Sequence, residues 1–258
     1  MPWYFGIEIG GTKIQAALAK EPQTIDSIIE KRVDPSAGAS AIRDQILDAC
    51  RELQELTGVR EVSAAGIGFG GPVDSCKGRV LVSNQIEGWS GFPICQWLGE
   101  SLAIRSVFVM NDSDAATLAE SQLGAGRGYS PVLYVNSGSG VGGGLTIDGQ
   151  VYPGSGIGAI EIGHVWVEEL PEPLRLEQVA SGWAIARAGR DIVSKANKNN
   201  SLLFQLANGD PAAVSGELVA SAALNGDSQA LQVYGRATRA MGRALAQAIM
   251  DGSPNEMY

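Results

Sequence analysis

The stretch Trp3-Tyr4-Phe5-Gly6-Ile7-Glu8, followed through Gly10-Gly11-Thr12-Lys13 into Ile14-Gln15-Ala16-Ala17-Leu18-Ala19, sets the architecture of this chain. Both flanks alternate apolar and polar or small side chains, the period of a strand, and the glycine pair between them permits a tight reversal. The chain therefore opens on a β-hairpin, and residues 25–33 are placed to add a third strand.

Beyond the hairpin the periodicity changes. Ile42, Ile46, Ala49, Cys50, Leu53 and Leu56 recur at helical spacing, which predicts a helix over 41–56 with one face against a sheet. Residues 62–69 read as a strand ending at Gly70-Gly71-Pro72, and 106–110 as a short buried strand running into Asn111-Asp112. A helical pattern then spans 113–123 and stops at Gly124, Gly126 and Gly128.

A second hairpin repeats the first device. Residues 131–135 and 142–147 flank the turn Gly138-Ser139-Gly140, and Asp148-Gly149 turns the chain again. Three helical stretches follow, at 177–196, 216–233 and 235–250. Strands dominate the first part and helices the last, so the expected class is α/β in two lobes, 1–110 and 111–258.

Composition narrows the function. Of 258 residues 45 % are apolar and 18 % charged, which suits a folded core rather than a disordered chain. The formal charge of -9 repels nucleic acid phosphates and anionic lipid, so neither nucleic acid nor a membrane is expected as a partner. Cys50, Cys76 and Cys95 are odd in number and lack close pairing, which fits reduced thiols in a cytoplasmic protein. No signal-peptide pattern opens the chain.

Each glycine turn sets consecutive N–H groups beside a hydroxyl, Thr12 or Ser139, with no Cβ in the way, a concavity that suits phosphate oxygens. A single such turn also serves as a plain reversal; two suggest a pair of phosphate clamps. Neither is a P-loop or a dinucleotide fingerprint, because neither joins a strand to a helix. Asn111-Asp112 stands where a strand becomes a helix. There an amide can orient a hydroxyl and a carboxylate can take its proton, or the same residues can simply cap the helix. His164 and Glu161 are too few for a zinc site, and Glu177 at a helix start suits the helix dipole without further purpose.

Taken in order, these segments resemble the ROK family of sugar kinases and sugar-responsive repressors. The similarity rests on residues 6–13, on 66–74 with Asn84 through Trp89, on Asn111-Asp112, on 138–144, on Glu161-Ile162-Gly163-His164 and on 176–182. It implies an actin-like ATPase (ribonuclease H-like) fold, each lobe a mixed sheet flanked by helices and the two closing over a sugar. The implied activity is transfer of the ATP γ-phosphoryl group to a hexose hydroxyl. The resemblance makes Asp112 the general base and sets Asn111, Glu161, His164 and Glu177 on sugar hydroxyls, with Gly71 and Asn84 nearby. It lines the phosphates with Gly10, Gly11, Thr12, Lys13, Gly138, Ser139 and Gly140, and places Glu8 on the water shell of Mg2+. The implied partner is a small-molecule sugar, and a homodimer is a common state in the family.

Three departures shape these expectations. Glu8 stands where most members have Asp. The three-cysteine zinc loop of many members has no counterpart between Val165 and Leu176, so no structural zinc is expected. The family continues beyond the helix at 235–250 into an adenosine-side glycine pair and a returning helix, whereas this sequence ends at Tyr258. A truncated or frameshifted reading with impaired activity is therefore expected, and a non-catalytic sugar sensor is the alternative function. With the first strand beginning by Trp3, a DNA-binding repressor is disfavoured.

Overall fold

The computed structural model describes residues 2–83, 86–154, 160–168, 173–195 and 201–252. The chain divides into two compact units, 1–134 with 144–159 and 135–143 with 160–258.

The first unit is built on β1 (Tyr4–Ile9), β2 (Lys13–Ala19), β3 (Ser27–Arg32), α1 (Gly38–Thr57), β4 (Ala64–Phe69), the short β5 (Val73–Asp74) and β6 (Arg79–Val80), α2 (Ile94–Leu102), β7 (Ser106–Asn111) and α3 (Asp112–Leu123). Its five-stranded sheet has the order β3-β2-β1-β4-β7. The first three strands are antiparallel, and β1, β4 and β7 run parallel. Strict alternation in β1 sends Phe5, Ile7 and Ile9 inward, where they join Ile14, Ala16 and Leu18 of β2 and Ile67 and Phe69 of β4.

Helix α1 lays Ile42, Ile46, Ala49, Cys50 and Leu53 on that face, as their spacing predicted, whereas Leu56, counted in the same stripe, is exposed at the end of the helix. Each such side chain removed from water contributes roughly 1.5–3 kcal/mol. The helix stops at Gly58, whose φ of 71° is the left-handed conformation that glycine adopts without a Cβ clash. Helix α2 was not foreseen. Its two inward side chains, Ile94 and Leu98, are one helical turn apart but belong to too short a run to stand out in the sequence.

The second hairpin is β8 (Val132–Ser137) and β9 (Val141–Ile147), with β10 (Gln150–Val151) completing a three-stranded sheet in the order β10-β9-β8. Its tip lies in the second unit, together with β11 (Trp166–Glu168), β12 (Leu174–Arg175), α4 (Leu176–Ala180), α5 (Gly182–Lys195), α6 (Leu202–Leu206), α7 (Gly216–Leu224) and α8 (Ser228–Gly252). Besides the hairpin tip, the described strands of this unit are the antiparallel pair β11–β12, so helices make most of its core. Along α8 the buried stripe is Ala230, Ala237, Ala240 and Ala244, small side chains that let α4, α5 and α7 approach closely.

Three boundaries differ from the sequence reading. The unit boundary was set between Met110 and Asn111, yet β7 pairs with β4 through Asn111, and α3 packs on β4, so Asn111, Asp112 and α3 belong with the first sheet. The helix expected over 177–196 is broken at Ser181, whose extended backbone separates α4 from α5. The helices expected at 216–233 and 235–250 part instead at Asn225-Gly226-Asp227. Gly226 takes φ 87°, and the Asp227 carboxylate accepts from Gln229 N and Ala230 N at 2.9 Å, so α8 starts there and runs on through Gly235.

Candidate active site

In the first unit, register does the assembling. Ile9 pairs with Phe69 and Phe69 with Asn111, so β1, β4 and β7 end level with one another. The segments leaving these three strands must therefore share one edge of the sheet: the turn at Gly10, the Gly70-Gly71 segment, and Asn111-Asp112. Loops beyond the carboxyl ends of neighbouring parallel strands are a recurrent place for ligands.

At the first turn, Gly10 N donates to Lys13 O at 3.0 Å and Val33 N to Thr12 O at 2.9 Å, which fixes the loop against β3. No acceptor among the described residues takes the N–H groups of Gly11 and Thr12. Lys13, expected on the phosphates, has its Nζ 3.5 Å from Glu30 Oε2 on the neighbouring strand.

At the end of β7 the two readings of Asn111-Asp112 separate. Asn111 is the cap: its Oδ1 accepts from Ser113 N at 2.9 Å and Asp114 N at 3.3 Å, while its Nδ2 donates to Gly71 O at 3.3 Å. Asp112 Oδ1 accepts from Ser113 N at 2.8 Å. Its Oδ2 faces Gly70, where an added Cβ would stand 3.4 Å away, and a Cβ on Gly68 would stand 3.6 Å from the Asp112 Cα. Those two glycines, read from the sequence only as part of a sugar-side loop, let the start of α3 sit close against β4. Their signal was the alternation Gly66, Gly68, Gly70, which clears one side of a strand. Asp114, the other carboxylate of this turn, points elsewhere, to within 3.0 Å of a Cβ added at Gly144.

Burial pushes the Asp112 carboxyl above the ordinary carboxylate range, and the negative charge of Glu8 adds to the rise; the hydrogen bond from Ser113 N opposes both. Glu8 itself is exposed on β1, paired in register with Gly68. Two carboxylates at one sheet end suit a Mg2+ ion, which keeps several waters and takes phosphate oxygens instead of needing a full protein cage. No group of three or more His, Cys, Asp or Glu among the described residues is placed to hold a metal by itself.

The second unit holds the other expected residues. Gly138 N donates to Gly140 O at 2.9 Å, Gly142 N to Asn136 Oδ1 at 3.1 Å, and Val141 N to Glu177 Oε2 at 3.4 Å. The N–H groups of Ser139 and Gly140 are left with no acceptor among the described residues, the same state as Gly11 and Thr12. From behind, the turn is held by the start of α5: Gly182 N donates to Gly138 O at 2.8 Å and Trp183 N to Ser139 O at 3.4 Å, and Ser137 Oγ donates to Ala180 O at 2.7 Å. The sequence reading did not find this support, since it rests on backbone groups that no side chain advertises.

Glu161 and His164 are both exposed at the two ends of a single 3-10 turn, and His164 N donates to Glu161 O at 2.8 Å. Gly163 between them packs directly on the Val141 carbonyl, an approach that a Cβ would block. Asn84 lies outside the described residues. Each remaining expected residue is thus found beside either the first sheet's edge or the second turn.

The ROK family profile matches residues 4–257, and the chain belongs to the ROK family. It is 32% identical to the glucokinase of Thermotoga maritima over 93% of this chain and 76% of that protein, and 30% identical to the glucokinase of Streptomyces coelicolor with the same coverage. Among solved structures it resembles a ROK family glucokinase from Streptomyces griseus in complex with glucose and AMPPNP, with a TM-score of 0.82 and 30% identity over 95% of this chain and 78% of that one. The fold is the actin-like ATPase fold, and the protein is a sugar kinase that uses ATP.

Proposed function

We propose that this protein phosphorylates a hexose, with glucose as the first substrate to test, and that Asp112 is the general base. The supporting observation is the division of labour at the end of β7. Asn111 caps α3, so the Asp112 carboxylate is not consumed by capping and turns its Oδ2 toward Gly70. A carboxyl held above its usual range is a stronger base for a sugar hydroxyl than an ordinary aspartate.

In this reading the N–H groups of Gly11 and Thr12 hold phosphate oxygens, as do those of Ser139 and Gly140. Gly10, Lys13 and Gly138 shape the same turns. Asn111, Glu161, His164 and Glu177 hold other sugar hydroxyls, with Gly71 nearby; Asn84 shares that role by resemblance alone. An amide, a carboxylate and an imidazole suit a polyol because each is left unpaired when a hydroxyl is missing, at a cost of about 1–3 kcal/mol. Mg2+, when bound with the nucleotide, supplies charge that offsets the charge developing on the transferred group, and Glu8 would hold its water. As the sugar oxygen bonds to the γ-phosphorus and the bond to ADP breaks, the hydroxyl proton passes to Asp112.

A coupled ADP-release assay with ATP and a panel of glucose, fructose, mannose and N-acetylglucosamine tests the reading. Sugar-dependent ADP release supports it; AMPPNP binding with no turnover on any hexose would favour a sugar sensor instead.

A further inference from the structure

The chain has five tryptophans, and four of them have a ring or a cation against the indole. Lys20 Nζ lies 4.4 Å from the Trp3 ring and Arg175 Cζ 5.1 Å from that of Trp166, while Trp89 and Trp97 pack on Phe92 at 5.5 and 5.8 Å. Trp183 is the exception: no ring or cation among the described residues faces it, and it is 57 % exposed. A single exposed apolar side chain is ordinary, but the place of this one is not. Trp183 lies in the first turn of α5, where its N–H donates to Ser139 O at 3.4 Å, directly after Gly182, whose N–H donates to Gly138 O at 2.8 Å. Helical side chains lean toward the N-terminus of their helix, and that is the end of α5 at which the second glycine turn sits. A Cβ added at Gly138 would meet nothing within 4 Å, so this flank of the turn is open.

We infer that Trp183 is a nucleotide-binding residue, its indole covering the adenosine of ATP while the neighbouring Ser139 and Gly140 N–H groups take the phosphates. The two flanks of the turn differ in what they offer. On the Val141 flank, Gly163 packs on the Val141 carbonyl between Glu161 and His164, and Glu177 Oε2 accepts from Val141 N at 3.4 Å, so side chains suited to hydroxyls gather there. The Gly138-Ser139 flank is held by backbone donors of α5, and the exposed side chain they bring with them is an indole. A ligand with its phosphates on Ser139 and Gly140 and its reacting end toward the Val141 flank extends its other end over the Gly138-Ser139 flank. In ATP that end is adenosine, whose purine has a flat face that an indole covers by stacking. The support beneath the indole is close-packed backbone. A Cβ at Gly182 would stand 2.7 Å from Gly138 O, and one at Gly216 3.2 Å from Gly182 O, so the starts of α5 and α7 and the turn lie directly against one another. A side chain projecting from such a base needs little ordering when a ligand arrives.

This rests on the reading that the second turn holds nucleotide phosphates, and the test separates the two. Trp183→Ala and Trp183→Phe would be compared with the parent by calorimetric titration of AMPPNP without sugar, by tryptophan emission during the same titration, and by KM for ATP and for glucose. Circular dichroism would confirm that each variant is folded. Trp183→Ala is expected to weaken AMPPNP and raise the ATP KM by on the order of tenfold, with the glucose KM within twofold of the parent. Trp183→Phe, which keeps a ring, is expected to recover most of that loss. AMPPNP should quench the emission of the parent and leave that of Trp183→Phe unchanged although calorimetry still records binding, a difference that a merely structural role would not produce. Unchanged AMPPNP affinity in Trp183→Ala would overturn the inference and leave the phosphate reading intact, and so would the same quench in Trp183→Phe as in the parent or a raised glucose KM with unchanged nucleotide affinity. No AMPPNP binding by the parent would overturn both. If the parent turns over no hexose yet the AMPPNP pattern appears as stated, the kinase reading fails and the contact stands.

Discussion

Glu8 on β1 and Asp112 at the start of α3 lie at the same end of one sheet, close enough for the charge of the first to raise the proton affinity of the second. Burial of Asp112 is the larger cause, so removing Glu8 lowers the Asp112 value without returning it to that of a free carboxylate. In a plot of kcat/KM against pH, the acid limb is expected to move to lower pH in Glu8→Gln. A limb that stays in place, or moves up, would mean that the titrating base is not Asp112.

The same rise has a cost in stability. A carboxyl whose folded value lies above its unfolded value of about 3.9 adds no penalty while both states are protonated, and penalises folding progressively as pH rises through the folded value. Asp112→Asn keeps an oxygen for Ser113 N and removes the charge. Its Tm should therefore exceed the parent's at neutral pH, with the difference shrinking as pH falls toward 3.9 or so. Equal Tm values at neutral pH would contradict the burial of an ionised Asp112.

Gly70 is predicted to be a placement residue for the base. An added Cβ would lie 3.2 Å from Ile9 O and 3.4 Å from Asp112 Oδ2, so in Gly70→Ala the end of β1 must give by a few tenths of an ångström beside the carboxylate. Since a misplacement of about 1 Å can cost roughly 10²-fold in rate, this smaller shift should lower kcat by severalfold, up to about tenfold, while AMPPNP affinity holds. Full kcat in this variant would show that the contact is slack.

In the second unit, the buried Asp227 ties α6 to α8. Burial pushes its carboxyl up, but hydrogen bonds from Ala230 N, Leu203 N, Ser201 Oγ and Gln229 N together outweigh burial and hold it below the usual range. Its stabilisation is present above the unfolded value of about 3.9 and is lost as pH falls through the lower folded value. Asp227→Ala leaves buried donors unpaired and should cost about 1–3 kcal/mol, read as a lower urea midpoint at neutral pH. An unchanged midpoint would remove Asp227 from the account.

How much of this was legible in the sequence depended on whether a residue's role was written in its own side chain. The hairpin at Gly10-Thr12, the α1 stripe and the strand entering Asn111 were plain because alternation and helical spacing follow directly from burying one face. Asp112 was marked as a base and Asn111 as its partner, but not that Asn111 alone would take the cap, since either side chain suits that position. The placement of α3 with the first sheet was missed because it depends on the approach that Gly68 and Gly70 allow across sequence-distant strands. The start of α8 was missed although Asn225-Gly226-Asp227 carried a C-cap, a positive φ and an N-cap, because the helical pattern was read straight across them from 216 to 233. Glu177 was read as a helix-start carboxylate and, by resemblance, a sugar ligand; its contact with Val141 depends on tertiary geometry that local spacing does not encode.

The most direct test of the central claim is the glucose-dependent rate of ADP formation by Asp112→Asn beside the parent, at saturating ATP and neutral pH, with AMPPNP affinity measured on both. Loss of the base should lower kcat by on the order of 10² to 10⁴ while the nucleotide still binds as before. A variant that turns over as fast as the parent would contradict the assignment of Asp112.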